Sequence, residues 1–286
     1  MNVMRATLFL FVSVFFPMNA EAAPYAAVSV DAVTGEILHC ENCEMRLHPA
    51  GLTKLLTLYI AFQAIESGLV SLDDEVKISR KVAETERTAL ELEPGSKLKL
   101  RYLIRAAAVM GANDASTAIA EHIAGSEVFF ARLMNKTSKD LGMSRSTWKN
   151  AHGLTEKGHL STAKDMAIIT LALKRHFPDY YNLFSRIRTN AGIKEVAHSG
   201  RRYLGNVRGA TFFKHGYTRA AGFNGSAVTE LGSKKVITVV FGGRSTATRN
   251  KQMAQISDQS FRLISSSNWQ ALSSQPDPFR KIIELE

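Results

Sequence analysis

The chain has 286 residues, 45% of them hydrophobic and 22% charged, the balance of a folded protein with an ordinary core. Its formal net charge is +10, but the basic residues form no stripe interleaved with aromatics, which speaks against nucleic acid as a partner. Walker A, H-E-x-x-H, G-x-S-x-G and post-strand G-x-G-x-x-G motifs are all missing, which excludes the common nucleotide, zinc-peptidase and α/β-hydrolase chemistries. The eight histidines are scattered, and neither a metal nor a cofactor is expected.

Met1–Arg5 is a short positive segment, Ala6–Met18 is apolar, and Ala20-Glu21-Ala22 has the A-x-A form of a cleavage site. The apolar run is too short to span a bilayer, so residues 1–22 read as a secretory signal peptide. The mature chain is therefore expected in the periplasm, soluble and without a stable membrane anchor. Removing one Arg and one Glu with the leader keeps the charge at +10. A basic exported protein meets anionic cell-wall polymer or lipid headgroups before nucleic acid.

From Tyr25 to Asp31 small or apolar residues alternate with polar ones, and Val33-Thr34-Gly35-Glu36 supplies a turn, which predicts a β-hairpin over 25–42. Cys40 and Cys43 are the only cysteines. In an oxidising compartment a local disulfide outranks a zinc site, which lacks two further ligands at a recognised spacing, and a redox C-x-x-C, which opens a helix. Pro49 announces a helix, and Leu52–Leu69 is apolar nearly all round, the mark of a helix in the interior. Residues 73–176 are strand-poor, with helices expected over Leu100–Met110, Ala115–Ile123 and Val128–Leu141, and a further one capped by Ser161.

Strands return at Thr211–Tyr217, Gly225–Leu231 and Lys234–Phe241. The apolar run Val236–Phe241 suits a strand covered on both faces. A helix follows over 245–265, and residues 266–286, with two prolines and several serines, read as a flexible tail. Within it Trp269, Phe279, Ile282 and Ile283 make a short apolar face. Strands at both ends and helices between predict one α/β (α+β) domain over 23–265, its antiparallel sheet closed by the two termini and a helical subdomain inserted over about 73–176.

A serine and a lysine three residues apart on a helix lie about one turn apart, which lets the amine take the hydroxyl proton. Ser96–Lys99, Ser146–Lys149 and Ser161–Lys164 have this spacing, where roughly one match is expected by chance. Ser96 and Ser146 lie in polar, loop-like stretches, and a cap role already accounts for Ser161.

A different set of motifs carries a resemblance. His48-Pro49-Ala50-Gly51-Leu52-Thr53-Lys54 resembles P-A-S-x-T-K, and Gly111-Ala112-Asn113-Asp114-Ala115 resembles S-x-N-D-A. Asn150-Ala151-His152-Gly153-Leu154 with Ser161-Thr162-Ala163-Lys164-Asp165-Met166-Ala167 resembles N-P-x-G-L followed by S-T-A-x-D-M-A. Lys214-His215-Gly216-Tyr217-Thr218-Arg219 opens a run similar to K-T-G-Y-T-R-A-S-G-F-N. In this order they resemble the serine D-alanyl-D-alanine carboxypeptidases, the low-molecular-mass penicillin-binding proteins, over residues 25 to about 265. The resemblance implies a β-lactamase-like fold with a five-stranded, mainly antiparallel sheet. It implies a peptidoglycan pentapeptide or a β-lactam as ligand, with Lys214, His215, Gly216 and Arg219 as substrate-binding positions.

Each motif departs from the pattern at a hydroxyl. Gly51 stands at the nucleophile, Gly111 at the proton-relaying serine and His215 at the threonine of K-T-G; Lys54, Asn113 and Lys214 remain. A residue without a side-chain oxygen forms no acyl-enzyme, and Thr53, about 200° around the helix from Gly51, faces elsewhere. The residues favour a family member with impaired catalysis that still binds stem peptides. The alternatives are an enzyme with a relocated nucleophile (Ser161, or a water activated by Lys54) and a purely structural envelope protein.

Overall fold

The structure, a computed structural model, describes residues 23–86, 88–266, 279 and 282. The expected signal peptide, and Trp269 and Ile283 of the tail, lie outside the described residues. The first hairpin is β1 (Ala26–Asp31) and β2 (Ile37–Glu41), and a disulfide joins Cys40 near the end of β2 to Cys43 in the turn that follows. A single 3-10 turn, Ala50–Leu52, leads into α1 (Thr53–Glu66). Its residues are buried nearly all round, as the unbroken apolar sequence requires.

The helical part follows. A small ribbon of β3 (Glu75–Lys77) and β4 (Lys97–Lys99) brackets the short α2 (Arg80–Ala83). Next come α3 (Leu100–Arg105), a π-helical turn over Ala106–Met110, α4 (Asn113–Ala124), α5 (Glu127–Asp140) and α6 (Ala163–His176). The expected Leu100–Met110 helix is thus α3 with a widened last turn. After α7 (Pro178–Tyr181), a second ribbon of β5 (Arg188–Asn190) and β6 (Glu195–Ala197) precedes α8 (Arg201–Asn206). Three long strands, β7 (Ala210–Thr218), β8 (Gly222–Leu231) and β9 (Lys234–Gly243), and the terminal α9 (Thr246–Ser265) complete the chain.

The main sheet has the order β2-β1-β9-β8-β7 with antiparallel pairs throughout. The hairpin from the start of the chain docks on the last strand, so both termini close one sheet. Period-two alternation sorts the strands between two faces. Ala26, Val28, Val30, Phe212, Val228, Ile237, Val239 and Phe241 enter the main core with α1 and α6. Ala27, Phe213, Ala227 and Val240 face a second core that includes Tyr203 of α8 and Met253 and Ile256 of α9.

Two local expectations are corrected. The cap of α6 is Thr162, whose side chain accepts from the Asp165 N–H, and not Ser161. Ser161 is instead fully buried, its Oγ 2.8 Å from Ser146 Oγ, which donates to Asp165 Oδ2 at 2.6 Å. Its backbone meanwhile bridges to Leu47. The tail is not loose at Phe279 and Ile282, which are 0% and 2% exposed in the main core. Burying these two apolar side chains outweighs the polar composition of the sequence around them. Truncating a buried Phe to Ala typically costs about 3–5 kcal/mol. Phe279→Ala is expected to lower unfolding stability by about 3 kcal/mol in urea; a change below about 0.5 kcal/mol would show that the segment does not pack.

Candidate active site

The cleft lies between the start of α1, the loop before α4, the 150–155 loop and β7. It is an open cavity of about 300 Å³ lined by Gly51, Lys54, Asn113, His152, His215 and Gly216 among others. Lys54 projects from the first turn of α1 and is 2% exposed. Its Nζ donates to Asn113 Oδ1 at 2.7 Å and to the His152 carbonyl at 2.6 Å. Burial lowers its pKa to about 7, opposed by the charge of Asp114; desolvation disfavours the ammonium. A neutral amine has two N–H groups, and these two acceptors use both.

The neighbours of Lys54 are equally committed. Asn113 Nδ2 donates to the Glu86 carbonyl. The Asp114 carboxylate accepts from the N–H groups of Leu90, Glu91 and Ala115, which ties the 86–91 loop to α4. His152 Nδ1 accepts from the Leu154 N–H, so its proton sits on Nε2, 3.3 Å from Glu127 Oε1. Burial holds the ring neutral, its pKa about 4. With both nitrogens engaged, His152 is not a spare base. Thr53 points away from the cleft to His159 Nε2 at 2.9 Å, and Thr57 donates to the Ala151 carbonyl.

Gly111 ends the π-helical turn with φ +85°, a left-handed conformation natural to glycine and strained for serine. Helix ends leave carbonyls without partners. Those of Ala107 and Ala108 accept from Lys214 Nζ, the latter at 2.8 Å. Lys214 is therefore sealed behind Gly111, with a pKa lowered well below normal by burial and by Lys54. It does not line the cavity, and neither does Arg219, which is exposed beyond β7. The substrate-binding positions expected at these two residues are not presented to the cleft as the structure stands.

Gly51 also lies in close contact with strand backbone. A Cβ built there would lie 2.8 Å from the His215 carbonyl oxygen and 3.1 Å from Gly216 Cα. A Cβ on Gly216 would lie 2.0 Å from Gly51 N. The 3-10 turn that leads into α1 and strand β7 touch backbone to backbone, in the space a side chain at Gly51 would occupy. His215 adds no hydroxyl; its Nε2 is enclosed without a partner among the described residues, and burial drives its pKa to about 3.

Ser199 and Thr246 also line the cleft. Neither carries a motif signal: Ser199 sits in the loop before α8, and Thr246 opens α9. Ser199 Oγ would be 4.0 Å from a Cβ at Gly111. Ser161 is excluded as a relocated nucleophile, since it is fully buried and outside the cleft. Among the described residues no group of three His, Cys, Asp or Glu side chains is placed to hold a metal.

With this geometry in view, the comparisons decide the family. A model of peptidase family S11, D-alanyl-D-alanine carboxypeptidase, matches residues 14–245. The chain belongs to the D-alanyl-D-alanine carboxypeptidase family. It is 34% identical over 241 residues to D-alanyl-D-alanine carboxypeptidase DacF of Bacillus subtilis, covering 82% of this chain and 61% of that protein. It is 29% identical to DacC of Escherichia coli, covering 91% and 68%. The chain thus spans 61–68% of these two relatives' length. Penicillin-binding protein 6B of E. coli superposes with a TM-score of 0.76 at 28% identity, over 83% of this chain and 77% of that one. Penicillin-binding protein D2 of Listeria monocytogenes, solved with ampicillin bound, gives 0.76 at 25% identity, over 90% and 100%.

Two outcomes follow. Gly51→Ser places a side chain against strand backbone, and overpacking of this kind costs about 1–3 kcal/mol; urea unfolding is expected to show that loss, and an unchanged midpoint would mean the strand yields freely. The second concerns pH. Because Lys54 titrates near 7 in the folded chain and near 10.4 when unfolded, the unfolded chain binds more protons between these values. Stability therefore rises with pH across that window, by an amount on the order of 4 kcal/mol. Lys54→Met removes this contribution, so its stability curve is expected to be flatter than that of the unsubstituted chain from pH 7 to 10; equal slopes would refute the shift.

Proposed function

We propose that this family member is exported to the periplasm and binds peptidoglycan stem peptides ending in D-Ala-D-Ala, without forming an acyl-enzyme. The single observation that carries the reading is Gly51: the nucleophile's position has no oxygen, and strand backbone stands where its side chain would project. Lys54 lacks a hydroxyl to deprotonate, and Thr53, the adjacent hydroxyl, is committed to His159. What the cleft retains is suited to binding. Lys54, whose pKa lies near 7, can take up a proton when an anion approaches, and no carboxylate side chain faces the cleft among the described residues, which favours a ligand with a terminal carboxylate. Thr88, Ser199, Thr218 and Thr246 add hydroxyls around it.

The Listeria protein was solved in ampicillin-bound and cefotaxime-bound forms, and a β-lactam is the matching probe for this cleft. In denaturing gels a fluorescent penicillin is expected to leave no covalent label on this chain. A label that survives denaturation, on any residue, would overturn the silent reading. Diacetyl-Lys-D-Ala-D-Ala at ten times a millimolar Kd stabilises a binding-competent fold by about 1.4 kcal/mol, a rise of roughly 3–5 °C in a domain of this size. No rise would overturn the binding reading.

A further inference from the structure

Between the β1–β2 hairpin and α9 runs a second concavity, away from the cleft motifs. Tyr25, His39 and Glu41 from the β1–β2 hairpin form one wall, and Gln252, Gln255 and Gln259 from α9 form the other, around a volume of about 400 Å³. An adjoining cavity of about 540 Å³ shares Tyr25, Glu41 and Gln252 and continues to Gly243, Arg244 and Thr248. The two make one open-sided track. It ends beside the cleft: Gly243 of the track pairs with Phe223 of the cleft in the β8–β9 ladder. Thr248 of the track and Thr246 of the cleft share the first turn of α9.

We propose that this track binds a neutral glycan chain bearing acetamido groups, held so that a peptide pendant from the sugar enters the cleft. Three features of the walls select that class. The three glutamines fall at positions i, i+3 and i+7, on one face of α9 over roughly 10 Å. Each carries both a donor and an acceptor, the pattern that matches hydroxyl and acetamido groups. His39 Nε2 and Gln252 Oε1, one on each wall, have no hydrogen-bond partner among the described residues, and buried polar atoms are ordinarily paired. The charged groups that face the track, Glu41 and Asp258 against Arg244 and Arg262, balance, so a polyanion gains nothing there in spite of the chain's +10 charge. Ile256 and the Tyr25 ring supply apolar surface for the C–H faces of a pyranose. The pendant-peptide part of the proposal rests on the stem-peptide reading of the cleft; the glycan part stands on the track alone.

The full chain is titrated calorimetrically with a hexamer of β-1,4-linked N-acetylglucosamine and, separately, with diacetyl-Lys-D-Ala-D-Ala. The hexamer is expected to bind with Kd below about 1 mM. Gln255→Ala/Gln259→Ala, both exposed positions, should weaken it about tenfold, the loss expected for two polar contacts, and leave the tripeptide's Kd within about twofold. No hexamer binding at 10 mM, an unchanged Kd in the double variant, or displacement of the hexamer by the tripeptide would each overturn the proposal. Hexamer binding with no tripeptide binding would overturn the cleft reading and leave the track standing. A disaccharide carrying the pentapeptide should then bind at least about tenfold tighter than the tripeptide, since linked ligands on adjacent sites share one association cost; equal affinity would overturn the pendant arrangement.

Discussion

The start of α1 and strand β7 meet backbone to backbone at Gly51 and Gly216, and the organisation of the cleft depends on that contact. Close approach of two main chains is possible only where neither carries a side chain. Here each glycine is the reason for the other: a Cβ on either would strike the partner's backbone. The contact sets the distance between the helical part and the sheet at the floor of the cleft. Lys54, one turn further along α1, is thereby directed to Asn113 and the 150–155 loop, away from any hydroxyl.

The losses at the other two motifs have separate physical causes. Gly111 occupies a left-handed cap at the end of the π-helical turn, where a serine is strained. The carbonyls freed by that turn accept from Lys214, which commits its amine to the end of the turn and not to the cavity. His215 exchanges a small hydroxyl for a ring packed 5.6 Å from Phe213. Desolvation then holds Lys54, Lys214, His152 and His215 away from their charged forms. The result is a cleft with a family framework and a largely neutral interior.

The polar track along α9 has no counterpart in the motifs because its walls come from opposite ends of the chain. Residues 25–41 and 244–262 meet only because β1 pairs with β9, and α9 then folds back over the hairpin. The same closure of the sheet by the two termini brings the track to the mouth of the cleft.

Much of this was legible in the residues themselves. The unbroken apolar run after Leu52 specified an interior helix, alternation specified the hairpin, and Val236–Phe241 specified a doubly covered strand, because these patterns are local consequences of side-chain period. The motifs marked Gly51, Lys54, Gly111, Asn113, Lys214 and His215, and the missing oxygens were visible without any structure. Tertiary packing decided the rest. Phe279 and Ile282 sit in a polar stretch, and only the core they reach makes them structural. Ser161 and Thr162 are equally good caps by composition; the bridge to Leu47 and the bond to Ser146 commit Ser161 elsewhere. The sequence by itself determined the family, the order of the elements and the glycine at position 51, where the resembled motif has a serine. Whether Lys214 faces ligand or carbonyls, and whether Gly51 has room for a side chain, are questions of distance between segments far apart in the chain, and only the folded structure answers them.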